Sequence, residues 1–201
     1  MVAVIDYGMG NVASVQKALN ALGIISCLTA DEEIINDATH IILPGVGSFL
    51  QGMENLKKNG LDRILTQEVQ VNKKKFLGIC LGMQLLAETG FEPYENSGLG
   101  WIEGSVVKFD DLSIKIPHMG WNDINIKNGT YYDELQSKDF YFIHSYHFVP
   151  KYDKVVAATV NYGDQDYVAS IQQDNIFATQ FHPEKSQTAG LSVLKAFFAH
   201  A

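Results

Sequence analysis

Cysteine is scarce, with two in 201 residues. That is too few for a disulfide framework, and a reducing, cytoplasmic setting is the expectation. Positive charge is also in deficit: 15 Lys and Arg stand against 23 Asp and Glu, leaving a net charge of -8. Such a balance argues against a surface built for nucleic acid or for an anionic membrane. No apolar run approaches the roughly 18 residues of a transmembrane helix. The opening "MVAVIDYGMGN" lacks a basic region and a cleavage site, so it reads as a first strand rather than a signal peptide. There is no internal repeat, linker or low-complexity tract. What remains is a chain that is 46% apolar and 19% charged, globular in composition and long enough to bury a core. One domain, residues 1–201, is expected.

The first ninety residues alternate. "VAVID" and "IISCLT" read as buried strands, and "VASVQKALNALG" as a helix with Val12, Val15, Leu19 and Leu22 on one face and Gly23 as its stop. "DEEIIND" is a helical turn opened by Asp31, and "HIILPGVG" is a third strand, broken by Pro44. Ser48 to Asn72 reads as one or two helices parted at Gly60, and "FLGI" as the next strand, preceded by a solvated lysine run, Lys73 to Lys75. Strands alternating with helices predict a mostly parallel central sheet flanked by helices, an α/β fold. After Gly90 the pattern changes to strands: "GSVVKF", "IPHMGWNDINI", "FYFIHSYHFVP", "KVVAATV", "YVASIQQ" and "IFATQFHP". Turn signals such as Asn128-Gly129 and Tyr162-Gly163-Asp164 separate several of them, which predicts an added β layer. "QTAGLSVLKAFFAHA" closes as an amphipathic helix.

The chemistry is concentrated at a strand-to-helix corner, Gly78-Ile79-Cys80-Leu81-Gly82. A residue at so sharp a turn takes strained dihedrals and needs small neighbours, as in a nucleophile elbow. The corner lifts Cys80 off the sheet edge at the start of a helical pattern, where the positive dipole end favours thiolate. The backbone N–H of Leu81 then faces the place where an oxyanion would form. Cys27, inside a strand, has no such context and reads as core. A thiolate hydrolase also needs a histidine and a group to orient it. Of His40, His118, His144, His147, His182 and His200, His182 in "ATQFHPEKS" is the best placed. Pro183 holds the chain extended, and residues two apart in an extended segment share a side, so Glu184 can fix the imidazole. His144 and His147, three apart in one strand, should face opposite sides, so a shared metal is not expected.

With the cysteine corner in Gly78-Ile-Cys80-Leu-Gly82-Met-Gln84 and with His182-Pro-Glu184, the sequence resembles the class I, or triad, glutamine amidotransferases. "DYGMGN", "LPGVGSF", "PHMGWN", "FIHSYHF" and "QFHPEKS" are similar to the branch of that family that serves L-histidine biosynthesis, and the similarity runs from residue 2 to the final helix. The resemblance implies a flavodoxin-like amidotransferase fold, with Cys80 as nucleophile, His182 as base and Glu184 as orienter. It implies that Gly45, Val46 and Gly47 supply an oxyanion-hole amide together with Leu81, with glycines flanking a peptide that turns over. It implies that Gln84, Ser145 and Tyr146 hold the substrate, L-glutamine. Asn11, Trp121, Tyr141 and Lys185 match positions that face a partner, a (β/α)8-barrel cyclase bound as a heterodimer. No metal or organic cofactor is implied. Coupling between the two subunits would be allosteric.

Three other readings compete. Gly8, Gly10 and Ala13 follow a strand and open a helix, with Asp31 about 20 residues on, which fits a weak dinucleotide fingerprint. Tyr7 and Met9 are bulky for such a turn. A stand-alone γ-glutamyl hydrolase keeps the triad and drops the partner. A paralogous subunit that feeds ammonia to a surface-sugar aminating synthase keeps the glutaminase chemistry and changes the partner. Because 201 residues leave nothing beyond this module to use ammonia, a second polypeptide is expected to accept it.

Overall fold

The computed structural model describes residues 1–110, 114–127, 130–133 and 135–199. The turn signal Asn128-Gly129 and His200 lie outside them. The chain alternates through β1 (Val2–Ile5), α1 (Val12–Ala21), β2 (Ser26–Thr29), α2 (Glu32–Asp37), β3 (His40–Gly45), α3 (Phe49–Lys58) and α4 (Leu61–Thr66). A π-helical turn, Gln67–Val71, leads into β4 (Lys75–Cys80) and the single-turn helix α5 (Leu81–Gln84). The local chemistry explains several boundaries. The Asp31 carboxylate accepts from the backbone N–H groups of Glu33 and Ile34 and so caps α2. The Ser48 hydroxyl accepts from Gln51 N and caps α3. Gly60 stands between α3 and α4.

The second half is mostly strand: β5 (Ala87–Gly90), β6 (Asn96–Ser97), β7 (Ile102–Lys108), β8 (His118–Ile126), β9 (Asp139–His144) and β10 (Tyr146–Pro150). Then follow β11 (Val156–Tyr162), β12 (Gln165–Gln173), β13 (Ile176–Thr179) and the closing helix α6 (Gln187–Ala199). The large sheet runs β2-β1-β3-β4-β13-β12-β11-β8-β9. It is mixed: β2, β1, β3, β4 and β13 are parallel, and the strands from β12 to β9 add on antiparallel. The added β layer is a second sheet of order β10-β7-β5-β6.

Alternation along the parallel strands divides the core in two. Ala3, Ile5, Ile41, Leu43 and Phe76 pack with Met53 and Leu56 of α3 and Leu61 and Leu65 of α4. Val2, Val4, Ile42, Leu77 and Ile79 point the other way, onto Val15 and Leu19 of α1 and Val193, Leu194 and Phe197 of α6. Helices on both faces leave the C-terminal edge of the parallel strands as the open rim, where α/β proteins place their sites.

Three sequence expectations need correction. Pro44 does not break β3. The strand continues to Gly45, because β1 pairs with β3 only at His40–Ile42, and past that point no neighbour on that side needs the N–H that proline lacks. The helical pattern after Cys80 lasts one turn. The carbonyls of Leu85 and Leu86 accept instead from Leu99, Trp101 and Ile102, which draws the chain into β5. Lys74 is not a solvated lysine: its ammonium pairs with Glu68 at 2.6 Å and donates to the carbonyls of Ile35 and Asn36 at the end of α2, where helix carbonyls lack partners.

Candidate active site

The corner at Cys80 is backbone-strained. Cys80 has φ 54° and ψ -108°, a region costly for any residue with a β-carbon. The neighbouring glycines are a steric necessity. A Cβ on Gly82 would lie 1.8 Å from the carbonyl oxygen of Leu43, and one on Gly78 would lie 2.8 Å from that of Gly82. The elbow is therefore clamped against β3, and its thiol stands at the rim of the sheet. Around it runs a pocket of about 520 Å³ whose lining includes Val46, Gly47, Leu81, Gln84, Ser145 and Tyr146. Gly45 lies just behind, buried at the end of β3. A Cβ there would lie 2.3 Å from the Tyr7 hydroxyl and 2.9 Å from Leu81 Cβ. Gly47 has φ 114°, and Val46 between the two glycines is 42% exposed.

His182 and Glu184 meet by a different route from the extended one expected. His182 is extended, but Pro183–Lys185 form a 3₁₀ turn that folds Glu184 back, and His182 Nδ1 lies 2.8 Å from Glu184 Oε1. Both side chains are buried. Nε2 of His182 has no oxygen or nitrogen partner among the described residues. Burial alone would strip the proton from this imidazole. The negative charge and hydrogen bonding of Cys80, then those of Glu184, outweigh it and raise the pKa to about 10. An imidazole held between a sulfur and a carboxylate is an arrangement able to activate a cysteine nucleophile.

The sulfur has two further neighbours. Cys80 Sγ lies 3.9 Å from the carbonyl oxygen of Ile143 and 3.6 Å from Nε2 of Gln180. Gln84 is buried, and its amide nitrogen donates to Tyr146 O and to Gln180 Oε1, each at 2.9 Å. Ser145 interrupts the segment expected as one strand. β9 ends at His144 in the large sheet, and β10 starts at Tyr146 in the second. The same break overturns the expectation for His144 and His147. They do not face opposite sides: both rings lie 5.1 Å from the ring of Phe109.

Sequence reasoning missed several groups here. Glu92 lines the pocket and accepts from Phe49 N at 2.9 Å. Burial raises its pKa, and that hydrogen bond opposes the rise. Nothing in "GFEPYEN" marks it. Gln180 could have been found, since it stands two before His182 in an extended segment. His118 and His144 form a buried pair, Nδ1 to Nε2 at 3.0 Å. Burial lowers His118 to about 4 and His144 to about 3. Both sit in motifs that the sequence singles out, but only strand register brings them together.

Of the expected partner-facing residues, Trp121 is 42% exposed on β8 and pairs across the ladder with Tyr141 on β9, with ring centroids 6.1 Å apart. The Lys185 ammonium lies 5.7 Å over the Tyr141 ring. Met119 and Ile143, directly paired, continue this exposed face at 57% and 37%. Asn11 stands separately, as the half-buried N-cap position of α1 on the loop after β1. In the weak dinucleotide reading, Asp31 should await a ribose, but its carboxylate is occupied as the cap of α2.

Comparison with known proteins places this geometry. Residues 3–201 match the family Glutamine amidotransferase class-I. The imidazole glycerol phosphate synthase subunit HisH 1 of Campylobacter jejuni subsp. jejuni serotype O:23/36 (strain 81-176) is 50% identical over 200 residues, covering 98% of each chain. The imidazole glycerol phosphate synthase subunit HisH 2 of Methanococcus maripaludis is 43% identical over 204 residues, covering both chains fully. A solved structure described as a glutamine amidotransferase shares the fold, with a TM-score of 0.78 at 22% identity over 99% of this chain and 98% of its own.

Proposed function

The chain belongs to the class I glutamine amidotransferase family, and on that premise we propose that it is the glutaminase subunit of an imidazole glycerol phosphate synthase. It hydrolyses L-glutamine to glutamate and ammonia and passes the ammonia to a cyclase subunit in L-histidine biosynthesis. The observation that carries the chemistry is the buried His182, bonded to Glu184 at 2.8 Å and held protonated beside Cys80. The full-length likeness to the two synthase subunits carries the pathway.

In this reading the Cys80 thiolate attacks the carboxamide carbon of glutamine. The carbonyl π electrons move to oxygen, which is stabilised by backbone N–H groups of Leu81 and of the Gly45–Val46–Gly47 loop. One such donor is worth about 3–4 kcal/mol in the transition state. His182 gives its proton to the leaving nitrogen, and ammonia departs as the tetrahedral intermediate collapses to a glutamyl thioester. His182, now neutral, takes a proton from water. The hydroxide displaces Cys80 thiolate, and glutamate leaves. Glu184 holds the imidazole and balances its charge throughout. Gln84, Ser145 and Tyr146 hold the substrate in the pocket. Glu92, an acid facing that space, complements the substrate's α-ammonium.

Ammonia is mostly protonated in neutral water and is then not a nucleophile, so a sheltered transfer to the partner is needed. The partner of this reading is a (β/α)8-barrel, HisF-like cyclase, bound as a heterodimer over Trp121, Tyr141 and Lys185, with Asn11 on the neighbouring loop. Val46, exposed between two glycines, is the peptide whose turning would couple cyclase occupancy to glutamine hydrolysis. The test is glutamate release from L-glutamine, by the chain alone and with a cyclase subunit carrying its nucleotide ligand, beside a Cys80→Ala control. Low activity alone and a large rise in the complex, absent from the control, support the reading. Fast hydrolysis by the chain alone overturns it in favour of a free-standing hydrolase. Activation only by a sugar-aminating synthase overturns the pathway but keeps the chemistry.

A further inference from the structure

Two buried glutamine amides and two buried histidines lie in one chain of hydrogen bonds, and its direction can be worked out. The Tyr146 carbonyl oxygen can only accept. It is approached by Gln84 Nε2 at 2.9 Å and by His144 Nδ1 at 2.8 Å, so both nitrogens carry hydrogen. His144 is neutral, so its Nε2 accepts from His118 Nδ1 at 3.0 Å. His118 is neutral too, so its Nε2 accepts from the Asn122 amide at 2.7 Å. On the other side, the same Gln84 nitrogen reaches Gln180 at 2.9 Å. Gln180 must therefore present its oxygen to Gln84, and its nitrogen is left facing Cys80 Sγ at 3.6 Å. No amide in this chain can be turned over without setting two donors or two acceptors against each other.

We propose that Gln180 is a positioning residue for the nucleophile: its amide, locked in orientation by Gln84 and the Tyr146 carbonyl, donates an N–H to the Cys80 sulfur and favours the thiolate. A further polar atom at the sulfur is the Ile143 carbonyl oxygen at 3.9 Å, which accepts from a thiol but repels a thiolate. The Gln180 donor offsets that repulsion. Gln180 is fully buried, and its own backbone N–H is tied to Ala169 O of β12 at 2.8 Å, so the amide has no freedom to drift. His182, backed by Glu184, supplies charge beside the sulfur. Gln180 adds direction, because a hydrogen bond to an ion requires a defined line of approach. The titratable groups around Cys80 are His182 with Glu184, Tyr7 from the end of β1 and His144 from β9, with Glu92 and Lys185 across the pocket. Of these, His182 also bonds the sulfur, but as the group that gives up its proton in turnover, whereas the Gln180 amide keeps its own.

The inference deepens the glutaminase reading and rests on Cys80 being the nucleophile, yet it can be tested without glutamine or a partner. In the full chain carrying Cys27→Ser, so that Cys80 alone reports, the rate of iodoacetamide alkylation is followed against pH. Gln180→Met keeps the volume and removes the donor. Gln180→Glu keeps the outline and puts oxygen against the sulfur. Both should raise the midpoint of the alkylation profile, by about one pH unit for the methionine variant, a tenfold loss of thiolate on the rising limb. The glutamate variant should shift it further. If both variants melt with the parent and the midpoint stays where it was, Gln180 only fills space and the proposal is overturned. If neither folds, Gln84→Met frees the Gln180 amide to turn and reads the same midpoint. A rise there supports the proposal and no change overturns it. Failure of the glutaminase reading would register separately, as absent glutamate release from the unsubstituted chain with its cyclase.

Discussion

An imidazole held between a buried carboxylate and a sulfur is a store of pH-dependent stability. His182 binds its proton more tightly in the folded chain, at about 10, than unfolded, at about 6.5. Its contribution is complete below pH ~6.5 and is lost as pH rises through ~10. His118 and His144 run the other way. They are held neutral by burial to about 4 and about 3, so their penalty is absent above pH ~6.5 and accumulates as pH falls from there. Chemical denaturation across pH should therefore give a maximum near pH 6.5, with the alkaline limb flattened in Glu184→Gln. An alkaline limb that is identical in that variant would show that the carboxylate does not hold the proton. At this scale the sequence was informative wherever the signal was local. Asp31 opens its helix and Glu184 sits beside His182, because two or three residues suffice for either contact. Gln180 was within reach by the same two-residue argument, whereas nothing near Glu92 announces that a helix start 43 residues upstream will seek its carboxylate.

At the elbow two elements meet at a very close approach. β3 and the elbow touch backbone to backbone, and a Cβ on Gly82 would overlap Leu43 O at 1.8 Å. Neither partner is the flexible end of a side chain, so there is nothing to yield. Gly82→Ala should cost at least about 3 kcal/mol of stability in urea denaturation, or leave no folded protein. A variant that folds with parental stability would mean that the elbow can slide off β3. The glycines around Cys80 could be read from the sequence as room for a turn, but not as room for a particular strand, since that depends on which strand lies alongside. The same limit explains α5. Its sequence continues a helical pattern, and only the competing donors from Leu99, Trp101 and Ile102 end it after one turn. Strand existence in the second half was legible from alternation. That most of those strands extend the large sheet was not, because pairing between distant segments leaves no local mark.

At the scale of the whole molecule, one cluster of exposed apolar side chains lies on β8 and β9. Met119 opposes Ile143 and Trp121 opposes Tyr141, and all but Tyr141 are exposed. A central aromatic in such a patch is the expected anchor of an interface. Trp121→Glu should reduce cyclase-activated glutamate release by about tenfold or more at fixed subunit concentrations, while the melting temperature of the isolated chain stays put. Full activation in that variant would move the docking site elsewhere. The topology also has a consequence in time. β13 enters the sheet between β4 and β12, so Gln180 and His182 join Cys80 only when the last part of the chain arrives. On a ribosome adding ~5–20 residues per second, roughly 5–20 seconds separate the two halves of the site. Through that interval Cys80 stands at the unpaired edge of a growing sheet, without Gln180 and His182 beside it. On the proposed reading, the nascent polypeptide carries no armed nucleophile until β13 and the turn after it are in place.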